Sequence, residues 1–88
     1  MLKITAKSLS EFVQADQVSR LKNGNFLFRR GYFYKTGDPE LYGMRIISEL
    51  RGAGIACKEV ACGDVDKPFR GGVPLKNQSH FWVEVKIL

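Results

Sequence analysis

Long apolar runs are missing from this chain, and so are the residue sets on which most metal sites and active sites depend. No segment approaches the roughly 18 consecutive apolar residues of a membrane span, and residues 1–7 lack the apolar stretch of a signal peptide. One histidine, His80, and two cysteines do not have the paired spacing of zinc ligands. The sequence also contains no repeat, heptad pattern or low-complexity segment. These absences favour a cytoplasmic protein with no membrane contact, no metal and no cofactor.

The two cysteines, Cys57 and Cys62, are expected to be free thiols. They are five positions apart on a predicted strand, so their side chains would point to opposite faces of a sheet. A reducing compartment also disfavours a disulfide.

The size of the chain limits the architecture to one small domain. It has 88 residues, of which 44% are hydrophobic and 26% are charged, the balance of an ordinary globular protein. A chain this short buries a small core, so residues 1–88 are expected to form a single domain.

Acidic residues are absent between Gln17 and Gly37, and the net charge of the chain resides there. The formal net charge is +5, and outside this stretch nine basic residues balance nine acidic ones. The basic residues of the stretch are Arg20, Lys22, Arg29, Arg30 and Lys35. Such a cluster creates a local field that attracts anionic partners.

Two helices are predicted from their capping residues. Ser8 as N-cap with Glu11 three residues later predicts a first helix that ends near Asp16. Asp38 followed by Pro39 predicts the start of a second helix, which the glycines at 52 and 54 end. The predicted buried side of the second helix consists of Leu41, Tyr42, Met44, Ile46, Ile47 and Leu50.

Asn23-Gly24 predicts a β-hairpin with a two-residue type I′ turn. The register that follows places Leu21 opposite Phe26 and Arg20 opposite Leu27. In that register the core side chains are Leu21, Phe26 and Phe28. The opposite face would carry Arg20, Lys22, Arg29 and an exposed Leu27.

The second strand of the hairpin is expected to change direction at Arg30-Gly31. Unbroken alternation would bury the Arg30 guanidinium, which is costly, and glycine favours a bulge. The bulge would turn Phe33 inward and bring Tyr32 and Tyr34 onto the face that carries Arg29.

Two further strands complete the predicted fold. Residues 55–61 form one, residues 80–87 alternate between an apolar and a polar side, and residues 63–79 form a long, turn-rich connection. The order α-β-β-α-β-β predicts an α+β domain, with two helices on one face of a mainly antiparallel sheet of about four strands. The open face would carry Arg20, Lys22, Arg29, Tyr32, Tyr34 and Trp82. The final strand, if exposed, could pair with its copy, so a monomer or a homodimer is expected.

One short motif is similar to part of a known family. Arg30-Gly31-Tyr32 resembles the Arg-Gly-aromatic opening of the second signature of RNA-recognition-motif domains. That signature continues as a hydrophobic strand, where this chain has Lys35-Thr36-Gly37, and an Asn-Gly hairpin does not suit the strand order of that family. The family is therefore not assigned.

Cations interleaved with tyrosines favour a non-enzymatic protein that binds nucleic acid, either RNA or single-stranded DNA. Residues 67–76 add a second basic segment, and the glycines of Phe69-Arg70-Gly71-Gly72 would either grip an anion or simply form a turn. The candidate binding residues are Arg20, Lys22, Arg29, Arg30, Tyr32, Tyr34, Lys35, Lys67, Arg70, Lys76 and Trp82.

Three other interpretations remain open. The aromatic residues could simply fill the core while the cations face water. The same residue types also suit a protein-interaction or inhibitor module, of the kind encoded by phages and mobile elements, that docks on an acidic partner surface. Finally, Asp64 with Glu84-Val85-Lys86 is similar to a metal-dependent nuclease pattern, although no catalytic residues are assigned on this basis.

Overall fold

A computed structural model of the protein describes residues 4–13, 15–30, 38–64, 66–67, 69–70 and 81–88. Two helices and four strands form in the predicted order α-β-β-α-β-β. They are α1 (Ala6–Ser10), β1 (Gln17–Arg20), β2 (Phe26–Arg30), α2 (Pro39–Gly52), β3 (Cys57–Asp64) and β4 (Phe81–Ile87).

The four strands form one antiparallel sheet in the order β1-β2-β4-β3. Both helices pack on the same face, where Leu9 of α1 joins the core residues of α2. The predicted α+β fold is confirmed. The final strand, β4, lies between β2 and β3, so it is not the exposed edge through which the sequence suggested self-pairing. The edges are β1 and β3.

The core lies between the helices and the sheet. Phe28, Val83 and Val85 are fully enclosed on the sheet side, and Ile46 and Leu50 of α2 pack over them. The predicted inward positions of Phe26 and Phe28 are confirmed, as is the apolar side of β4. No helix in the described part of the chain has the length and hydropathy needed to cross a membrane.

Helix α1 begins three residues earlier than the sequence predicts. Thr5 is the N-cap, and Ser8 completes the capping box as the third helical residue through a hydrogen bond from the Thr5 N–H to its hydroxyl. The Ser8 N–H in turn donates to the Thr5 hydroxyl oxygen. Ser8 is therefore not the N-cap, and the helix ends at Ser10 rather than near Asp16.

Helix α2 begins and ends where its sequence predicts. Asp38 caps the N-terminus by accepting from the Glu40 N–H, and Gly54 has the positive φ, +85°, of a left-handed stop. The predicted buried side is wrong at two positions, because Leu41 and Met44 are 60% and 67% exposed. These two side chains point away from the sheet.

The β1–β2 hairpin forms at Asn23-Gly24, but its register differs by one residue from the prediction. The Leu21 N–H donates to the Asn25 carbonyl, the Gly24 N–H donates to the Leu21 carbonyl, and Gly24 has φ +89°. These bonds define a three-residue loop with a left-handed glycine, rather than a two-residue type I′ turn. Arg20 therefore pairs with Phe26, and Leu21 leaves the helix-facing core.

Strand β3 contains a bulge that also changes the predicted orientation of the cysteines. Glu59 pairs with Val85 and Ala61 with Glu84, which leaves Val60 as the extra residue. Because of this additional residue, the side chains of Cys57 and Cys62 lie on the same side of β3, and both pack toward the helix-facing core. They are free thiols, as predicted.

Candidate nucleic-acid interface

The sheet face away from the helices, here called the second face, carries its own small apolar cluster. Leu21, Leu27 and Trp82 are each at most 7% exposed, and Ala61 and Phe69 pack against them. Two predictions are wrong here, because Leu27 and Trp82 are buried rather than exposed to solvent. Trp82 therefore has no free ring face on which a base could stack.

Trp82 is enclosed by the segment that follows β3. Its indole N–H donates a 2.7 Å hydrogen bond to the Lys67 carbonyl, and the Phe69 ring meets it edge-on at 5.2 Å between centroids. Gly63, the cross-strand partner of Trp82, leaves room for the indole: a Cβ at this position would lie 2.6 Å from the indole nitrogen. The absence of a side chain at Gly63 therefore allows the Trp82 indole to pack against β3.

The turn after β3 is built around the Asp64 carboxylate. This carboxylate accepts hydrogen bonds from the Asp66 and Lys67 backbone N–H groups, at 2.9 and 3.2 Å. An aspartate that caps its own turn in this way fixes the direction of the following residues. The turn carries Lys67 and Arg70, both exposed, to the rim of the second face.

Glu84 is the one acidic residue that β4 places on the second face, and neutral amides hold its carboxylate. The side-chain amides of Asn23 and Asn25 donate to it at 3.2 and 2.8 Å. A groove of about 240 Å³ lies beside this cluster and is lined by Leu21, Lys22, Asn23, Phe69 and Glu84. The hairpin loop thus provides both the partners of Glu84 and a lysine at the mouth of the groove.

Two lysines stand side by side on the second face. Lys58 of β3 is the cross-strand partner of Lys86 of β4, and both are exposed. Strand alternation places Lys86 on the same face as Glu84 and Trp82. Like charges directly opposite each other destabilise a sheet. A bound anion would remove this repulsion.

Lys58 and Lys86 are absent from the predicted set of binding residues. The signal for Lys86 was present, since it alternates with Trp82 and Glu84 on the polar side of the final strand. Lys58 could be found only from the pairing of β3 with β4.

The hairpin arginines do not share one exposed face. Arg20 lies on the helix-covered face, with its guanidinium carbon 5.6 Å from the centre of the Phe26 ring. Arg30 pairs with Phe81 on that same face and is half-buried. Arg29 does lie on the second face, opposite Trp82, but it is only 5% exposed. The predicted basic face of the hairpin is therefore wrong for Arg20, and Arg29 is enclosed. Arg30, a predicted binding residue, lies on the helix-covered face.

The remaining predicted binding residues divide into two groups. Lys22, Lys67 and Arg70 are exposed at the rim of the second face. The others, which lie outside the described residues, are Tyr32, Tyr34, Lys35 and Lys76. The predicted bulge at Gly31 also lies outside the described residues. Up to Arg30, β2 keeps a regular register with β4.

Acidic residues are concentrated on the helix side of the domain. The structure describes all nine acidic residues of the chain. Six of them belong to the helices, their caps and their surroundings. They are Glu11, Asp16, Asp38, Glu40, Glu49 and Glu59. The second face and the turn that borders it hold only Asp64, Asp66 and Glu84, against five exposed cations among the described residues. The exposed cations are Lys22, Lys58, Lys67, Arg70 and Lys86.

The carboxylates of the nuclease-like pattern are not brought together. Asp64 pairs with Phe81, three positions along β4 from Glu84, which separates the two by roughly 10 Å at ~3.3 Å per residue. The described residues contain no group of three His, Cys, Asp or Glu side chains that could hold a metal ion.

Burial raises the pKa of both thiols. The effect of burial on Cys57 is opposed in part by the positive charge of Arg51, and the pKa of Cys62 is raised further by the charges of Glu59 and Glu40. Burial likewise raises the pKa of Tyr42 well above its usual range. A raised pKa keeps a thiol protonated and a poor nucleophile at neutral pH.

Comparison of the chain with protein-family models, with curated proteins and with solved structures finds no match.

Proposed function

We propose that this chain is a non-enzymatic, cytoplasmic nucleic-acid-binding protein that contacts the phosphates of RNA or single-stranded DNA through its second face. The observation that carries the proposal is the cross-strand pair Lys58 and Lys86, exposed on a sheet face that, with the turn beside it, carries five exposed cations and three acids among the described residues. Phosphate contacts of this kind provide affinity without sequence readout.

Of the three acids on the second face or in the turn that borders it, Glu84 and Asp64 have carboxylates held by donors within the domain, so these two interfere little with an anion. The Glu84 carboxylate is held by two asparagine amides, and the Asp64 carboxylate by backbone N–H groups. Neither carboxylate is thereby neutralised, but each is oriented toward donors within the domain. Lys22 lines the groove beside Glu84, and Lys67 and Arg70 belong to the segment that follows β3. An anionic chain crossing this face would therefore meet cations from the hairpin loop and from that segment as well as from β3 and β4.

The described aromatic residues support electrostatic contacts rather than base stacking. Trp82 is enclosed by Lys67 and Phe69, so it contributes to the shape of the face and not to a stacking platform. A preference for single strands rests on Tyr32 and Tyr34, as the sequence suggests.

Fluorescence anisotropy with labelled single-stranded and duplex oligonucleotides over a series of salt concentrations tests this function. Five phosphate contacts predict that log K falls with log salt with a slope of about −3 to −4 for a single strand. The double variant Lys58→Gln, Lys86→Gln should bind more weakly and with a shallower slope. Arg45→Gln, an exposed cation of α2, is the matched control and should bind like the unaltered protein. Absence of binding at micromolar protein, or binding that ignores salt, would refute the proposal.

A protein-interaction module that docks on an acidic partner is the second candidate. The enclosure of Trp82 favours this candidate, because the buried indole cannot stack on a base. Without base stacking, lysines on a rigid sheet bind carboxylates as readily as phosphates. Competition distinguishes the two: polyglutamate that displaces the labelled oligonucleotide at equal charge concentration favours the protein partner. An oligonucleotide that resists polyglutamate favours nucleic acid.

A further inference from the structure

An apolar strip lies along the outer side of α2 and the free edge of β3, on the other side of the domain from the groove near Trp82. A groove of about 460 Å³ runs there, lined by Met44, Ile47, Ser48, Arg51 and Glu59. Met44 lines this groove and is 67% exposed. Leu41, three residues earlier on α2, is 60% exposed, and Val60, the residue after Glu59 on β3, is 49% exposed. Large apolar side chains gathered in one strip commonly mark an interaction surface.

The edge of β3 offers backbone groups to a further strand. The Leu88 N–H donates to the Ala56 carbonyl, so the backbone of Ala56 points toward β4. Alternation then turns the backbone groups of Cys57 and Glu59 outward. One of these outward groups already has a partner, because the Arg51 guanidinium donates a 2.9 Å hydrogen bond to the Cys57 carbonyl.

The groove has opposite charges at its two ends. Arg51 lies at the end where α2 finishes and β3 begins. Since β3 runs back along α2, the Glu59 carboxylate lies against Gly43, toward the start of the helix. Glu40 stands in the first turn of α2 and is close enough to add to the effect of burial in raising the pKa of Glu59. The surface is therefore basic at one end, acidic at the other and apolar between them.

We infer that this surface is the interface of a homodimer, in which β3 and α2 of a second copy pack antiparallel to β3 and α2 of the first. A two-fold axis reverses the direction of the groove, so the Arg51 end of each copy meets the Glu59 and Glu40 end of the other. An interface between identical patches must be self-complementary in this way. An arbitrary partner would have no need of a groove with one end basic and the other acidic.

The dimer joins the two sheets edge to edge. Each copy contributes β3, so the two four-stranded sheets become one sheet of eight strands, and outward backbone groups of both edges gain partners across the interface. The two second faces then lie on the same side. The interface residues Met44, Leu41 and Val60 become buried, which supplies the apolar part of the association.

Sedimentation velocity of the purified protein without nucleic acid tests the inference across a range of concentrations. The unaltered chain is expected to sediment at twice its mass of 9.9 kDa. Met44→Glu and Arg51→Glu should each shift the mass to that of one chain. The charge-swapped triple variant Arg51→Glu, Glu40→Lys, Glu59→Arg should recover the dimer, because both ends of the groove change sign together. Lys7→Glu, on α1, is the matched control and should remain dimeric.

Circular dichroism of each variant ensures that loss of the dimer is not loss of the fold. Met44 is mostly exposed, so Met44→Glu should retain the helical signal of the unaltered chain. The inference is overturned if the unaltered protein stays at 9.9 kDa at every concentration, or if a dimer persists in folded Met44→Glu. The absence of nucleic acid from this experiment makes its result independent of the binding proposal.

Discussion

The indole N–H of Trp82 donates a 2.7 Å hydrogen bond to the Lys67 backbone carbonyl. This bond joins the central strand β4 to the segment that follows the edge strand β3. Because the indole lies against Gly63, the bond also depends on the absence of a side chain at that position. The contact closes the second face around Trp82 and leaves the lysines as the groups that solvent and ligands reach.

Gly63→Ala is expected to destabilise the protein by about 1–3 kcal/mol. The added methyl group would meet the Lys67 carbonyl and the Trp82 ring, neither of which is the free end of a flexible chain. Urea unfolding followed by tryptophan fluorescence measures the change in the free energy of unfolding.

Gly52→Ala is the matched control for that substitution. Gly52 is the last residue of α2 and a Cβ there has nothing within 4 Å, so alanine should be neutral or stabilise the helix by up to about 1 kcal/mol. Equal effects of the two substitutions would show that the space beside Trp82 is not restrictive.

Glu84→Ala is expected to lower stability and to raise affinity for nucleic acid. The substitution removes the acceptor of the Asn23 and Asn25 amides, at a cost of about 1 kcal/mol. It also removes a negative charge from the second face. Glu84→Gln, which keeps one acceptor oxygen, should retain more stability with a similar gain in affinity. Weaker oligonucleotide binding by folded Glu84→Ala would contradict the electrostatic reading of this face.

Alkylation of Cys62 should require a higher pH in the folded protein than in the unfolded one. Burial, and then the charges of Glu59 and Glu40, raise the pKa of this thiol, so less thiolate is present at any given pH. Cys57→Ser isolates the reaction of Cys62. The rate with iodoacetamide as a function of pH should show its midpoint displaced upward, and the displacement should disappear in urea. Coincident native and unfolded profiles would show that the thiol is not shielded.

Lys58→Gln is expected to stabilise the free protein slightly while weakening its binding. Removal of one member of the like-charged pair with Lys86 should add a few tenths of a kcal/mol to the free energy of unfolding. The same substitution should reduce the salt slope of single-strand binding by about 0.7. Thermal unfolding and anisotropy provide the two measurements. A loss of stability would indicate that the lysine pair is held by other contacts.

The hairpin shows which structural features can be predicted from short-range sequence patterns and which cannot. Asn23-Gly24 correctly predicts a reversal between β1 and β2, and the aromatic alternation correctly places Phe26 and Phe28 in the core. The register could not be predicted, because Asn-Gly suits both a two-residue loop and a three-residue loop with a left-handed glycine. One residue of slip exchanges the faces of β1. This slip moves Arg20 from the predicted basic face to the edge of the core.

The candidate site was predictable in part for a similar reason. Strand alternation identifies the polar side of β4, on which Lys86 and Glu84 stand. Whether that side faces water depends on residues distant in sequence, and here Lys67 and Phe69 fold over Trp82. Lys58 enters the site only through its pairing with Lys86, which follows the bulge at Val60.

The sequence by itself determined the α+β class, the order of the elements, the caps of α2 and the apolar side of β4, because each depends on residues close together along the chain. The tertiary structure alone decided which strands lie at the edges, which cations share a face, and that Trp82 is a core residue of the second face. These properties depend on strand pairing and on long-range packing, and a single residue of loop length or bulge reverses them.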